Sequence, residues 1–502
     1  MSRLALIADL HLSDIPGTSQ WACFSWALDV IRRNKPDAII VAGDVTSCGQ
    51  VFAARQFRKR LEGINIPFII TPGNSDMRAE TSMSGLLEAL VTPKKLELDD
   101  AVILALDLSN GALCENDVAL CEKEFASSGG KKIIIATHQP PDFQGGRHYK
   151  TGPFTLFLAG HRHKDDVIYG DDYAVHVVRG LDPDKASGGP PCLSFFNLSH
   201  GKWTRHDEIF AGGSPDVFDD KDRREFMELL GISCMDEPVD TMKHAGDHSI
   251  RCVEVRSRES MFSSGLAEAI SSWRDSGGRV LSLHMPGLQL CPDTASVINP
   301  AAWQYLIESG VKLGINQLTV HAPGVPVSRM KTGSQARRAV VQFLARCLVP
   351  VLKKGIIIGI ENMHVRNGEP FDERRNFGYL PDECLEFIRE LKKELGHNNI
   401  GAMIDTGHAR NNRPFSKRIG VSDWYARLGK EAVGYHVHQV KNEKGGMTNH
   451  LGFEGLYGPL VSLSGFFWAW KTGQLRHAPV FVEVRDMAAR LRTVKLLHDA
   501  MA

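Results

Sequence analysis

The chain has 502 residues, about three times the usual length of one domain, so two large domains with room for a third are expected. A composition of 43% hydrophobic and 24% charged residues excludes a disordered or fibrous protein. Lysine plus arginine number 59, as do aspartate plus glutamate, and the resulting net charge of +0 excludes a global basic field that would hold nucleic acid without specificity.

In the first half, apolar runs of strand length alternate with helical stretches. Leu4 to Ala8, Ala38 to Ala42, Phe68 to Thr71, Lys132 to Thr137 and Phe154 to Ala159 read as strands buried on both faces. Each ends in polar residues: Asp9 and His11, Asp44, Asn74, His138, then His161 and His163. Open α/β sheets place ligands outside the carboxyl ends of their strands. Segments around Tyr173 to Val178, Cys192 to Asn197 and Trp203 to Ile209 read as a closing antiparallel group, so a first domain is expected over 1–210. The Gly/Pro/Asp-rich stretch 211–219 reads as a linker.

A second domain over 220–502 repeats a strand-plus-helix unit. Strands are expected at Leu229 to Ser233, Cys252 to Val255, Val280 to His284, Gln317 to His321, Ile356 to Glu361, Ala402 to Asp405, Val433 to His438 and Val480 to Glu483. Eight parallel strands with intervening helices close into a TIM barrel whose reactive groups sit at the carboxyl strand ends. The fold class is therefore α/β throughout, an α/β sandwich followed by a (β/α)8 barrel.

Histidine is the commonest metal ligand, and the chain has 20. In the first half, Asp9, His11, Asp44, Asn74, His138, His161 and His163 are all oxygen or nitrogen donors at successive strand ends. Two divalent ions about 3.5–4 Å apart need such a set, with one carboxylate shared. The pattern Asp-x-His, Gly-Asp, Gly-Asn, His and Gly-His-x-His resembles the calcineurin-like metallophosphoesterase family over roughly the first 200 residues. The resemblance implies that Asp9, His11 and His163 hold one metal and Asn74, His138 and His161 the other. Asp44 would bridge them, with Asp44, Asn74 and His138 next to the reaction and Mn, Fe or Zn as the metals. The family's usual histidine after the asparagine is Ser75 here, which removes a candidate proton donor to the leaving group. His148 is a candidate replacement; Arg78, Arg147 and Lys150 read first as ordinary solvated side chains and second as phosphate contacts.

In the second half, His284, His321, Glu361, Asp405, His408, His436, His438, His450 and Glu483 gather at or just beyond strand ends. A barrel interior is normally filled with Val, Ile and Leu, so this many polar groups at one rim call for a metal. These motifs resemble the apurinic/apyrimidinic endonuclease type 2 and xylose-isomerase-like barrels. The resemblance implies one metal on His284, His321 and Glu361, a second on Glu361, Asp405, His438 and Glu483, and a third on His408 and His450. One to three ions, Zn or Mn, are thus implied, with Glu361 and Glu483 catalytic. The carboxylate expected two residues before His450 is Thr448, and His436 is assigned a supporting or packing role.

The acid-free stretch from Ala322 to Lys354, with Arg329, Lys331, Arg337, Arg338, Arg346, Lys353 and Lys354, reads as a helix with a solvated basic face rather than a phosphate contact. Phe466, Phe467, Trp468 and Trp470 read as core or partner surface rather than a base-stacking platform. No apolar run approaches the roughly 20 residues of a membrane span. The chain's start reads as a strand, and the ten scattered cysteines suit a reducing cytoplasm. The expected function is bifunctional metal-dependent phosphoester hydrolysis, a nuclease or phosphodiesterase acting on DNA, a nucleotide derivative or a phosphorylated small molecule in repair or defence. The alternative is a sugar-phosphate isomerase or epimerase barrel fused to a phosphatase, which needs only four barrel ligands.

Overall fold

The structure, a computed structural model, describes all residues except 1, 79–82, 110–112, 142–154, 171–172, 200–201, 236, 257–264, 292–295, 367 and 445. Arg147, His148 and Lys150 lie outside the described residues. The chain forms two compact units. One comprises Met1–Val217, Lys417–Ser422 and Tyr457–Trp468; the other comprises Phe218–Ser416, Asp423–Leu456 and Ala469–Ala502.

The first unit contains β1 (Arg3–Ile7), β2 (Ala38–Ala42), β3 (Phe68–Thr71), β4 (Lys95–Glu97), β5 (Ala101–Ala105), β6 (Lys132–Ala136), β7 (Thr155–Ala159), β8 (Asp166–Tyr169), β9 (Tyr173–Val177), β10 (Cys192–Ser199) and β11 (Lys202–Ile209). These make one sheet of order β11-β10-β1-β2-β3 and another of order β4-β5-β6-β7-β9-β8. The period-two pleat splits each apolar run between two cores. Leu4, Leu6, Ala38 and Ile40 pack with Ile103, Ile134 and Leu156 of the other sheet, so this layer is the inside of a sandwich. Ile39 and Val41 face outward onto Phe24 and Ile31 of the helix Ser19–Asn34 and Phe57 of the helix Val51–Glu62.

Sequence reading did not anticipate β4, β5 or β8, and it placed Tyr173 onward in an antiparallel group. In fact β9 runs parallel to β7 and antiparallel only to β8. The reason is burial: Val175 and Val177 are fully buried, whereas Val167 and Tyr169 of β8 are exposed, so β9 takes the inner position and β8 the edge.

The second unit is a closed barrel. Among the described residues its staves are β12 (Leu230–Ser233), β13 (Cys252–Arg256), β14 (Val280–His284), β15 (Gln317–His321), β16 (Ile357–Glu361), β17 (Ile400–Asp405), β18 (Ala432–Val437) and, after the hairpin β19 (Gln439–Glu443) and β20 (Gly446–Leu451), β21 (Val480–Val482). All staves pair in parallel. The helix Pro381–Leu395 shows how the outer ring forms. Proline opens it, Cys384, Phe387, Ile388, Leu391 and Leu395 bury one stripe, and Gly396 at φ 68° ends it.

One surface expectation is corrected, and the reading of the aromatic cluster as core holds. In the helix Gln335–Leu352, Arg337 is buried rather than solvated: its Nε donates to Glu390 and its guanidinium lies against Phe377 and Phe387. In the helix Ser464–Lys471, Phe466, Phe467 and Trp470 are buried, as core residues are. No helix among the described residues is long and apolar enough to cross a membrane.

Candidate metal centres

In the first unit, the loops after β1, β2, β3, β6 and β7 bring the seven predicted donors together. His11 Nε2 lies 3.3 Å from His163 Nε2 and 3.5 Å from Asp44 Oδ2. His163 Nε2 is 4.0 Å from Asp9 Oδ1, and Asp9, His11 and His163 offer atoms within 4.8 Å of one another. On the other side of Asp44, His138 Nε2 is 3.4 Å from Asp44 Oδ1, 3.1 Å from Asn74 Oδ1 and 3.2 Å from His161 Nδ1. His138 directs its Nδ1 to the Ala42 carbonyl at 3.0 Å, which leaves Nε2 for the site. Asp44 thus stands between two donor groups, as a shared ligand must.

The backbone does much of this positioning. Asp9, His11, Asp44, His161 and His163 have φ between 45° and 72°, a region that non-glycine residues seldom occupy and that clusters at functional sites. Gly43, at φ 75°, lets three strand ends meet, since a Cβ there would lie 2.8 Å from both Gly73 N and His138 Cβ. Asp76 accepts from the N–H groups of Val45, Thr46 and Gly73, tying the β2 and β3 loops together. Ser75 donates its hydroxyl to Asp44 Oδ2 at 2.9 Å and its N–H to Oδ1 at 2.7 Å. Arg78 reaches the Ser75 hydroxyl at 3.2 Å, so it is brought to the rim of the site.

Protonation reflects crowded donors. Burial, and the charge of Asp44, push Asp9 up to about 7 against the pull of His138. Burial would likewise raise Asp44, but His138, His11 and the Ser75 N–H hold it well below the usual carboxylate range. Burial would lower His138, yet Asp44 and Asp9 carry it to about 9. A divalent cation would replace these protons. The Asn74 amide fits such a cation: with its oxygen inward, Oδ1 and two imidazole nitrogens converge; turned over, its nitrogen donates at 3.1 Å to His138 and His161.

In the second unit, the carboxyl ends of the staves converge on Glu361. Its Oε2 lies 3.0 Å from His284 Nε2 and 3.2 Å from His321 Nε2. Since His284 Nδ1 faces the Met285 carbonyl at 3.1 Å, either a proton or a cation must sit between its Nε2 and Glu361. Asp405 caps the short helix Thr406–Arg410 by accepting from the His408 N–H, and its Oδ1 is 3.1 Å from His438 Nε2. His450 Nδ1 is 3.4 Å from Glu483 Oε2. His408, His438 and His450 form one donor group, and Glu361, Asp405, His436 and Glu483 another. The side chains expected at the rim are therefore brought together, with His436 among the carboxylates.

Family models match both halves: calcineurin-like phosphoesterase over residues 2–171 and xylose isomerase-like TIM barrel over residues 225–495. The chain belongs to the xylose isomerase-like TIM barrel family, with a calcineurin-like phosphoesterase domain ahead of the barrel. The phosphoesterase part is 28% identical over 121 residues to the glycerophosphodiester phosphodiesterase GpdQ of Enterobacter lignolyticus, covering 22% of this chain and 44% of that protein. It is 25% identical over 142 residues to a probable cyclic nucleotide phosphodiesterase of Vesicomyosocius okutanii, covering 27% and 61%. The chain thus spans about half the length of the curated relatives it matches. Among solved structures, a D-tagatose 3-epimerase-like protein covers 54% of this chain and 97% of its own, at 18% identity and a TM-score of 0.39. A dimetal phosphatase from Danio rerio covers 41% and 96%, at 12% identity and 0.34.

Three residues of the xylose isomerase-like barrel escaped sequence reading. Glu254, on β13 and wholly buried, accepts from Ser233, Ser282 and Thr319 hydroxyls and lies 2.8 Å from His436 Nε2. His436 Nδ1 in turn lies 3.0 Å from Glu361 Oε1. Burial would discharge His436, but Glu254, Glu483 and Glu361 raise it well above the ordinary histidine value. Arg256, two residues on, pairs with Glu483 Oε1. His364 packs 4.4 Å from His408, ring to ring, and burial with the His408 charge pushes it down to about 2. The available signal for Glu254 was one acid inside the apolar strand Cys252–Arg256.

Proposed function

We propose that this chain is a metal-dependent phosphodiester hydrolase whose calcineurin-like part and barrel each carry a reactive centre. The observation that carries this reading is the placement of Asp44 between Asp9, His11 and His163 on one side and Asn74, His138 and His161 on the other. Divalent ions held by these two groups would bring the pKa of water toward neutrality and draw charge off the phosphate oxygens. Asp44 is fixed for the shared position by the Ser75 hydroxyl and N–H. Arg78, exposed beside Ser75, supplies local positive charge for the phosphate, and Arg78→Ala is expected to raise KM about tenfold, roughly 1.4 kcal/mol. Ser75 already directs its hydroxyl proton to Asp44 and has no acidity near neutral pH, so it does not protonate a leaving alkoxide. Diesters with acidic leaving groups are accordingly the better substrates.

The names of the curated relatives, a glycerophosphodiester phosphodiesterase and a probable cyclic nucleotide phosphodiesterase, support a small phosphodiester for the calcineurin-like site. For the barrel, His284, His321 and His450 stand within the cluster although a four-ligand isomerase site would not use them. That surplus favours a second hydrolytic centre acting on a nucleic acid or nucleotide derivative, in repair or defence. The sugar-phosphate isomerase or epimerase reading is supported by Glu361, Asp405, His438 and Glu483, all of them present and buried. Protein loaded with Mn or Zn is to be assayed on bis-p-nitrophenyl phosphate, glycerophosphodiesters, cyclic nucleotides, abasic duplex, single-stranded DNA and sugar phosphates. Hydrolysis of at least one diester is expected; a metal-replete protein that cleaves none overturns the reading, and isomerisation of a sugar phosphate selects the alternative for the barrel.

A further inference from the structure

The loop after β16 carries a histidine that the ligand sets above do not use. His364 stands three residues beyond Glu361, with its ring centroid 4.4 Å from that of His408. His364 Nδ1 is screened from solvent and has no hydrogen-bond partner among the described residues. The same holds for His408 Nε2, whereas His408 Nδ1 faces the Asn362 carbonyl at 3.1 Å and donates its proton there. His408 therefore presents a bare nitrogen to the pocket. The His450 ring closes the other side, 5.6 Å from His408. Orphaned buried polar atoms cost about 1–3 kcal/mol each, so two such nitrogens among packed imidazoles call for a common partner.

The neighbouring side chains do not supply it. Thr448 turns away and donates to Glu443 Oε2 at 2.7 Å. His438 directs Nε2 at the Asp405 carboxylate, at 3.1 and 3.3 Å from its two oxygens, which ties it to the carboxylate cluster. What is left on this side of the barrel mouth is an imidazole-rich set, His364, His408 and His450. Its neighbouring carboxylates lie on the Nδ1 sides of His408, at 3.5 Å from Glu361 and 3.4 Å from Asp405, and of His450, at 3.4 Å from Glu483. Imidazole donors suit zinc, copper or nickel far better than magnesium or calcium.

We propose that His364 is a metal ligand, closing with His408 and His450 an all-imidazole pocket that takes a zinc-class divalent ion. This rests on the barrel mouth being a metal centre, and the assignment is specific to His364. Zinc bound per chain is to be counted on dialysed, zinc-loaded full-length protein for the wild type, His364→Gln and Glu361→Ala, with far-UV circular dichroism and thermal unfolding recorded alongside. His364→Gln is expected to hold one equivalent fewer than wild type while unfolding cooperatively. The same zinc count and affinity in His364→Gln overturns the assignment. If Glu361→Ala loses zinc in that case, the barrel centre stands without His364; if it also keeps every equivalent, the barrel reading falls as well. Zinc-edge anomalous diffraction from wild-type crystals tests the point without any variant. A peak about 2.0–2.1 Å from a His364 ring nitrogen is expected, and the absence of one there contradicts the proposal.

Discussion

The two centres solve one problem, bringing oxygen and nitrogen donors to a point, by opposite means. In the calcineurin-like site the predicted ligands come from loops beyond the ends of sheet strands, and the chain must turn each side chain back toward the site. Asp9, His11, Asp44, His161 and His163 accordingly have left-handed backbones, and just two of the predicted ligands there, Asp9 and Asp44, are carboxylates. In the barrel the staves already converge, and of its predicted ligands His450 alone has positive φ. The burden there is charge: Glu254, Glu361, Asp405 and Glu483 are each at most 1% exposed. One site is held by backbone strain and the other by buried electrostatics, so they should respond to different perturbations.

The largest expected effect is on the barrel. Glu254→Ala leaves the His436 imidazolium and three hydroxyls without their acceptor, and a broken buried pair typically destabilises by about 3–5 kcal/mol. Denaturant unfolding should show that loss, while Glu254→Gln keeps most of the stability and weakens barrel metal affinity roughly 10–100-fold. Neither variant should alter metal binding by the calcineurin-like part; if either does, the contrast between the sites fails.

A backbone change should do to the first site what a charge change does to the second. Gly43→Ala places a methyl against Gly73 and His138 at φ 75°, a strain of about 1–3 kcal/mol. Diester hydrolysis should fall by on the order of 100-fold through misplacement of the β2 and β3 loops. An alanine variant with unchanged kcat would show that the loop geometry is not critical.

The smallest effect separates general acid sensitivity from either centre. His176, on β9 against Phe196, is lowered from 6.5 to about 4 by burial and by Arg205. Its folded state favours the neutral ring, so this stabilisation is fully present above pH 6.5 and is lost as pH falls through about 4. Thermal unfolding should show a modest decline across that window that His176→Leu flattens. An identical decline in the variant would assign the acid sensitivity elsewhere.

Much of this contrast was legible in the sequence, for stated reasons. Strands β14 and β15 end on His284 and His321, the first histidines after predominantly apolar buried runs. The polar residues midway along them, Ser282 and Thr319, are small hydroxyls that a barrel interior can hold, while the rim carries the large donors. Asp44 follows Gly43 directly after a run buried at every position. What could not be read was three-dimensional. Lone residues such as Glu254 and His364 carry no motif, and only the closed barrel sets them beside His436 and His408. Asp and His take left-handed backbone more often than most residues, but no glycine or turn motif marks the left-handed backbones of Asp9 and His11 in the sequence. Ser75 appeared as a loss of acid chemistry, and the structure adds its hold on Asp44. The edge strand β8 was missed because its half-exposed alternation resembles a loop.

The central claim, two separate metal-dependent centres on one chain, is tested most directly by the rate of bis-p-nitrophenyl phosphate hydrolysis in Asp44→Ala and Glu361→Ala, both metal-loaded and folded. The account predicts that Asp44→Ala loses the calcineurin-like activity by well beyond the roughly 10–100-fold of an outer-partner mutation, while Glu361→Ala retains it. Full activity in Asp44→Ala, or its abolition in Glu361→Ala alone, would contradict the account.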